Sequence, residues 1–158
     1  MHEGLLGDPK RPEIADYEPV VEPDGLTAKG IAVWKPDPDG TGVSSLVTYT
    51  YRVLRPLTAY LAKESAGNRL AIFMSVSPLD EIAILAWMLS AINYAHDKAD
   101  EVKAFQDKIV SQDIPVVESQ RPELLPLDLQ AELHLRSDRM SIAYRKWLRE
   151  VGLTFGTK

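Results

Sequence analysis

The segment from Leu46 to Leu54 constrains the fold most, because apolar and polar side chains alternate along it from Val47 to Val53. Successive side chains of a β-strand point to opposite faces, so this alternation predicts a strand with one apolar face and one polar face. Such a strand belongs in a sheet that is covered on one side only. The apolar positions are Val47, Tyr49, Tyr51 and Val53, and the polar positions are Thr48, Thr50 and Arg52.

Three other segments are strand candidates. Ile31 to Lys35 is a short one that ends at Pro36, where a turn rich in proline and glycine begins. Leu70 to Val76 is uniformly apolar, which predicts a strand buried on both sides. The apolar residues of Ile82 to Tyr94 fit the period of a strand or of a helix. The sequence Pro-Leu-Asp at residues 78–80 interrupts two apolar runs, which favours a hairpin and therefore a strand. Residues 1–30 predict an irregular, extended lead-in.

Two helices are predicted after these strands. The first covers His96 to Gln120, and Pro115 must either kink it or lie in its first turn. The last runs from about Asp138, a candidate cap, to Val151, and Gly152 ends it. The predicted apolar faces are Val102, Phe105, Ile109, Val116 and Val117 on the first helix, and Met140, Tyr144, Trp147, Leu148 and Val151 on the last. Strands followed by helices predict one α+β domain over residues 1–158.

Composition excludes several classes of function. The net charge of −5 argues against a nucleic-acid binder, because phosphate contacts need clustered Lys and Arg. No apolar run is long enough for a membrane span and no signal peptide is evident, so a cytoplasmic protein is expected. Cysteine is absent, which excludes thiolate sites and any iron–sulfur cluster held by this chain. The histidines are His2, His96 and His134.

Asp113 is the most informative single residue. It lies four positions after Ile109 and three before Val116, so helical spacing places it on the apolar stripe. A carboxylate that faces a core is costly unless it is paired, protonated or bound to a metal. It is therefore a candidate metal ligand. The alternative is an N-cap for a helix that starts at Ile114, with Pro115 in its first turn.

The remaining polar residues have simpler interpretations. His2, beside the first methionine, and His96, at the start of a helix, are expected in solvent. Alternation predicts that Glu132 and His134 share the exposed face of a strand. Four basic residues predict a solvated face on the last helix, with docking of an acidic redox partner as the alternative. They are Arg139, Arg145, Lys146 and Arg149.

Two stretches of the sequence resemble a known family. One is His2 to Pro9, and the other runs from Gln112 to Pro126, which is the most specific part, and continues through Glu132 to Leu135 and from Asp138 to Leu148. Both resemble the large subunits of Rieske-type aromatic-ring-hydroxylating oxygenases, in the group of vanillate O-demethylase and pheophorbide oxygenase, and Ser77 to Glu81 also fits the pattern. The resemblance implies a helix-grip (START-like, Bet v1-like) catalytic domain, in which an antiparallel sheet wraps around a long helix.

The resemblance also implies a metal site. In that family a mononuclear Fe(II) is held by two His and one Asp. Asp113 matches the Asp and His2 matches the second His, while the first His would lie upstream of Met1. The Rieske domain with its [2Fe–2S] cluster is also expected outside this sequence, which makes the chain a truncated form. Glu118 and Gln120 are expected to support the helix that carries Asp113.

The implied reaction is hydroxylation or oxidative demethylation of an aromatic or other apolar substrate with O2. A reductase or ferredoxin would donate electrons, and a homotrimer is implied. Two alternatives remain open at this point. One is a non-catalytic helix-grip module that binds an apolar ligand, and the other is an inactive remnant of a longer enzyme.

Overall fold

The computed structural model describes residues 10, 11, 14, 16–39 and 42–154. Six strands form one antiparallel sheet in which each strand pairs with its neighbours in the chain, in the order β1 to β6. Two helices follow, with one 3-10 turn before the second, and this confirms the α+β prediction. The elements are β1 Pro19–Glu22, β2 Gly25–Lys35, β3 Ser45–Arg55, β4 Thr58–Ser65, β5 Asn68–Pro78, β6 Ile84–Ile92, α1 Ala99–Glu118, the turn Arg136–Asp138 and α2 Arg139–Glu150.

The alternation in β3 sets which side of the sheet is covered. Tyr49 pairs with Ile31 of β2, and Tyr51 pairs with Leu61 of β4. Leu61 in turn pairs with Ile72 of β5. Partners in adjacent strands share a face, so the apolar face predicted from β3 continues across the sheet. The strand prediction for residues 46–54 is confirmed.

The hairpin at residues 79–83 confirms that Ile82 to Tyr94 contains a strand rather than a helix. β6 pairs along its whole length with β5. The Asp80 carboxylate accepts hydrogen bonds from the backbone N–H groups of Ile82, at 2.8 Å, and Ala83, at 2.7 Å. An aspartate that binds backbone two and three residues later is a local turn former, and this interaction fixes the reversal of the chain.

Two predictions for the sheet were wrong in part, and one strand was missed. Residues 1–30 were expected to be irregular, but β1 and the first part of β2 lie there. β4 was missed, because its Lys and Glu residues obscure the alternation. Leu70 to Val76 is not buried on both sides: Leu70 is buried, but Phe73 is 40% exposed. The cause is the register, which places Phe73 on the face opposite to the one shared by Tyr51 and Ile72.

α1 is one continuous helix of 20 residues, and Pro115 lies in its last turn rather than its first. Proline there removes one backbone donor close to the helix end. The predicted apolar stripe is rotated from the true inward face. Gln106, Ile109 and Val110 face inward, together with Asp113, whereas Phe105, Val116 and Val117 are exposed.

α2 packs against the β1–β2 end of the sheet and forms the core. Trp147 and Leu148 are 6% and 2% exposed, and they cluster with Leu26 of β2 and Leu127. Met140 and Tyr144 pack against this cluster as predicted, but Val151 is exposed. Gly152 has a φ of +91°, which confirms the predicted helix end.

The Asp138 carboxylate has a different partner from the one predicted. It makes no hydrogen bond to the first turn of α2. It accepts the backbone N–H of Leu135 at 2.7 Å instead. Asp138 therefore stabilises the 3-10 turn that leads into α2.

The predicted basic face of α2 is interrupted by Arg145, which is buried. Its Nε atom donates to the carbonyl of Pro126 at 2.9 Å, and its guanidinium forms an ion pair with Glu132 and a hydrogen bond with Ser141. The prediction of a solvated face was therefore wrong for Arg145, because this group ties the 126–132 loop to α2. A buried guanidinium needs such partners to offset its lost hydration.

The 126–135 segment is a loop rather than a strand. Glu132 is turned toward Arg145, so the expected exposed face with His134 does not form. The Nε2 atom of His134 is buried and has no hydrogen-bond partner among the residues that the structure describes. The alternation of this short segment was misleading, because the Arg145 ion pair sets its orientation.

Trp147→Ala should lower the free energy of unfolding by about 3–5 kcal/mol, because it removes the largest side chain of the core and leaves a cavity. Denaturant unfolding followed by circular dichroism measures this change. Lys146→Ala, at an exposed neighbouring position, is the control and should change stability by less than about 0.5 kcal/mol. A similar small loss for Trp147→Ala would show that α2 is not docked through this face.

Candidate functional site

A cavity of about 780 Å³ lies between the sheet and α1. Its sheet wall is mainly aliphatic and continues the apolar face of β3. Cavities of this size and character accommodate small organic molecules in many proteins. The apolar side chains of this wall include Ala28, Ile31, Val53, Ala59, Leu61, Ile72, Met74 and Met88.

Asp113 lies on α1 in the wall of this cavity. Its Oδ1 atom is buried. Because α1 runs unbroken through this position, Asp113 does not cap a helix that starts at Ile114, and that alternative is wrong. A carboxylate oxygen in a cavity wall is a donor that suits a divalent cation.

The described residues supply one ligand of the expected iron site. Nowhere in the described ranges do three or more His, Asp or Glu side chains cluster in a way that could hold a metal ion. His2 lies outside the described residues. Asp113 thus fits the carboxylate of a two-His, one-carboxylate site, and His2 as its second ligand stays a prediction.

A set of ion pairs and hydrogen bonds closes another side of the cavity. These contacts join residues 16–18 to residues 136–139, and we call this set of residues the ionic wall. Asp16 forms an ion pair with Arg136. Arg139 donates from Nη1 to Glu18 at 2.6 Å and to the carbonyl of Tyr17 at 2.9 Å. The Tyr17 hydroxyl donates to the carbonyl of Ser137 at 3.0 Å. The charged groups of this wall therefore satisfy one another.

Further polar side chains line the cavity, among them Gln106, which sequence patterns did not single out, and Tyr51, which they placed on the apolar face of β3. Gln106 of α1 is only 8% exposed. Tyr51 of β3 lines the cavity from the sheet, and burial raises the pKa of its hydroxyl. The spacing of seven residues between Gln106 and Asp113 corresponds to two helical turns. This spacing could have identified Gln106 from the sequence once Asp113 was a candidate metal ligand.

Glu118 and Gln120 lie at the end of α1 and are exposed. The Gln120 side chain donates from Nε2 to the carbonyl of Val116 at 2.9 Å. The carbonyl of Glu118 accepts a hydrogen bond from Arg121 at 3.1 Å. Neither side chain lines the cavity, so they can act on Asp113 only through the helix end.

A second polar cluster lies on the same face of the sheet, at the end of β2. Lys35 is buried, and its ammonium lies 5.7 Å from the centroid of the Tyr49 ring. Burial and, secondarily, the nearby Lys63 ammonium lower the pKa of Lys35 to about 8. Lys63 is held by Asp39 at 3.5 Å, and Asn68 also donates to Asp39, at 3.1 Å. These contacts fasten the 36–39 turn to the sheet.

The helices within the described ranges include none long and apolar enough to cross a membrane. The longest helix, α1, carries acidic and basic side chains along its exposed surface, including Lys103 and Asp107, which form an ion pair at 2.7 Å.

Sequence comparison shows the family to which the chain belongs. Residues 1–153 match the family model described as the vanillate O-demethylase oxygenase C-terminal domain. The chain therefore belongs to this family of Rieske-type oxygenases. The resemblance read from the motifs around Asp113 is confirmed.

Individual relatives are methylxanthine demethylases. The chain is 30% identical to a probable methylxanthine N7-demethylase, NdmC, of Pseudomonas sp. strain TJI-51, over 99% of this chain and 58% of that protein. It is 29% identical to methylxanthine N1-demethylase NdmA of Pseudomonas putida, over 96% of this chain and 42% of that protein. The chain thus spans about half the length of these relatives.

Solved structures confirm the fold. The structure of NdmA from Pseudomonas putida CBB5 with caffeine superposes with a TM-score of 0.75 at 26% identity, over 95% of this chain and 43% of that one. The structure of an NdmA QL mutant with theobromine gives a TM-score of 0.74 at 23% identity, over 95% and 42%. The predicted sheet with a long helix is the architecture of these neighbours.

The depressed pKa of Lys35 predicts a specific pH dependence of stability. Between pH 8 and 10.5 the folded amine is neutral while the unfolded amine is still protonated. The unfolded state then binds more protons, so stability rises with pH in this window. Lys35→Met should remove that rise, as measured by denaturant unfolding of both proteins at several pH values.

The quantity that tests this prediction is the difference in the free energy of unfolding between the wild type and Lys35→Met at each pH. Burial raises the pKa of Tyr49 and Tyr51, so these groups lower stability as the pH rises above 10. Both proteins contain these tyrosines, and subtraction removes their contribution. Parallel curves from pH 7 to 10.5 would contradict a buried, destabilised ammonium at Lys35.

Proposed function

We propose that this chain forms the iron-carrying and substrate-binding part of a Rieske-type non-haem oxygenase. The enzyme would hydroxylate or oxidatively demethylate an aromatic or other apolar compound with O2. One observation carries the proposal: Asp113 lies in the wall of a large, mainly apolar cavity, on an unbroken helix. The family to which the chain belongs supports the same reaction class.

In this proposal Asp113 and His2 hold a mononuclear Fe(II), with a second histidine from outside these 158 residues. The bound iron supplies the activation of O2. The aliphatic sheet wall excludes water and binds the substrate by its apolar surface. The ionic wall closes one side of the cavity, and its charges are paired with one another.

The electrons must come from elsewhere, because a chain without cysteine cannot hold a [2Fe–2S] cluster of the Rieske type. A Rieske domain outside these residues would carry the cluster, and a reductase or ferredoxin would reduce it. Assembly as a homotrimer is part of the proposal. Gln120 would stabilise the end of α1 beyond Asp113 through its hydrogen bond to the carbonyl of Val116. Glu118 would stabilise the same helix end through its carbonyl, which accepts a hydrogen bond from Arg121.

A second candidate is a non-catalytic module that holds an apolar ligand. The same cavity favours it, since a cavity of about 780 Å³ that is lined mainly by aliphatic side chains can accommodate an apolar ligand without a metal. The two candidates differ in whether Asp113 binds iron. Metal binding by the purified chain therefore separates them.

Asp113→Ala should abolish Fe(II) binding, because it removes the only carboxylate ligand proposed for the site. Anaerobic titration of the 158-residue chain with Fe(II), followed by calorimetry, measures the affinity of both proteins. Asp107→Ala is the matched control, since Asp107 is an exposed aspartate on the same helix. Thermal unfolding checks that each variant is folded.

Tight one-to-one binding that is lost only in Asp113→Ala would support the oxygenase. Equal affinity in the wild type and Asp113→Ala would show that the ligand assignment is wrong. No binding to the folded wild-type chain would favour the non-catalytic module.

A further inference from the structure

The two edge strands of the sheet differ in how well they are protected from pairing with another strand. β1 has only four residues and contains Pro19 and Glu22, and short length, proline and charge all discourage such pairing. β6 has nine residues, from Ile84 to Ile92, with no charged side chain and no proline. Its register with β5 runs without a bulge. β6 therefore lacks the features that protect a free edge.

The backbone of β6 is open along this edge. Among the described residues, β6 pairs with β5 and with no other strand. Asn93, directly after β6, donates its backbone N–H to the carbonyl of Arg69 at 3.2 Å, and antiparallel hydrogen bonds recur at every second residue. The odd-numbered residues of β6 therefore bond to β5, while the even-numbered ones direct their N–H and C=O groups outward. Such a row of backbone groups is a template for another extended strand.

The side chains of β6 add an apolar surface to the open edge. Met88 lines the cavity, so its neighbours Trp87 and Leu89 lie on the opposite face of the sheet, together with Leu85. Trp87 is 61% exposed and Leu89 is 69% exposed. Phe73 of β5 pairs with Leu89 and extends the surface. We call Phe73, Leu85, Trp87 and Leu89 the outer patch.

The outer patch is large enough to matter for association. It exposes on the order of 400 Å² of apolar surface, within the roughly 300–600 Å² of the largest patch on a typical monomer, which is often functional. The smallest specific interfaces bury about 600 Å² per partner. The outer patch and the nine residues of open backbone beside it can together supply that area.

The requirements of this edge are met by β6 of a second copy. A partner strand must be extended along nine residues, and it must bring no charge onto the outer patch. Of the six strands in the described part of the chain, β6 alone contains no charged residue. A two-fold axis makes an edge strand complementary to its own copy in antiparallel pairing. The same strand can therefore be both template and partner.

The longest overlap is obtained with the axis at Met88, the central residue of β6. Ile84 then lies opposite Ile92 of the second copy, so the outward-directed, even-numbered residues bond to one another. On the outer face, Trp87 lies opposite Leu89 of the second copy. Pairs of an aromatic and an aliphatic side chain across neighbouring strands stabilise antiparallel sheets. The two outer patches join into one surface across the axis.

We propose that β6 is an interface at which two copies of this chain join their sheets edge to edge, in antiparallel register about a two-fold axis at Met88. The contact closes on itself, so it joins two copies and leaves no open β6 edge for further growth. It goes beyond the proposed function and does not depend on iron. Within a homotrimer of the kind proposed above, the same contact would join two trimers.

Sedimentation velocity of the 158-residue chain over a wide range of concentration tests this interface. Leu89→Lys puts a charge opposite Trp87 of the second copy and close to the same lysine across the axis. It should halve the mass of the assembly, whether or not trimer contacts also form. Val20→Lys is the matched control, since Val20 is an exposed apolar residue of the other edge strand. It should leave the mass unchanged.

A second variant removes the backbone pairing without adding charge. Ala86→Pro deletes an outward-directed N–H of β6 and leaves the hydrogen bonds to β5 in place, so it should also halve the mass. It tests the interface if Leu89→Lys fails to fold, and circular dichroism checks the fold of each variant.

A cysteine at the axis tests the register, because the chain contains no cysteine of its own. Met88→Cys should form a disulfide-linked dimer on mild oxidation, since the Cα atoms of a hydrogen-bonded antiparallel pair lie about 5.5 Å apart, within reach of a disulfide. Val20→Cys is the matched control and should stay unlinked under the same conditions.

Three results would overturn the proposal. They are a wild-type mass of one chain at every concentration, an unchanged mass in a folded Leu89→Lys or Ala86→Pro variant, and no disulfide-linked dimer in Met88→Cys. None of these measurements uses iron. A single chain that still binds Fe(II) through Asp113 would refute the edge contact and leave the proposed oxygenase site intact, and a dimer without iron binding would do the reverse.

Discussion

The position of the core determines the rest of this structure. Trp147 and Leu148 of α2 pack on Leu26 and Leu127 at the β1–β2 end of the sheet. This cluster anchors the last helix, and it leaves the middle of the sheet to α1. The inward face of α1 is not filled by large apolar side chains, since Phe105 points outward and Gln106 and Asp113 point inward. A cavity therefore remains where a protein built only for stability would place packed side chains.

Local sequence patterns were sufficient to predict the elements that a single local signal defines, such as alternation, a turn-forming residue or a terminal glycine. The alternation of β3 and the turn at Asp80 predicted their strands correctly, and Gly152 predicted the end of α2. β4 was missed because Lys63 and Glu64 carry charges on both faces. Lys63 lies on the covered face, where Pro38 and Asp39, both distant in sequence, provide its partners. Such long-range partners are not visible in a single sequence.

The same limit explains the errors in the helices. Counting apolar residues placed Phe105, Val116 and Val117 on the inward face of α1, yet a helix that borders a cavity turns polar residues inward. Arg145 was predicted in solvent because charge alone argues for exposure, whereas Glu132 and Pro126 bury it. Spacing placed Asp113 correctly on the inward face of α1, and its role as a metal ligand, which the family resemblance implies, stays a prediction. Spacing alone left a helix cap as an equal alternative.

The ionic wall has a consequence for how this protein reaches its final form. It joins Asp16 to Arg136 and Tyr17 to Ser137, pairs that are 120 residues apart in sequence. Contacts of such high sequence separation form only after a large loss of chain entropy, so topology places them among the slow steps of folding. We therefore expect the cavity to be enclosed after the hairpins have formed. A fluorescent ligand of the cavity would therefore report the completion of folding, while far-ultraviolet circular dichroism would report the earlier assembly of the sheet.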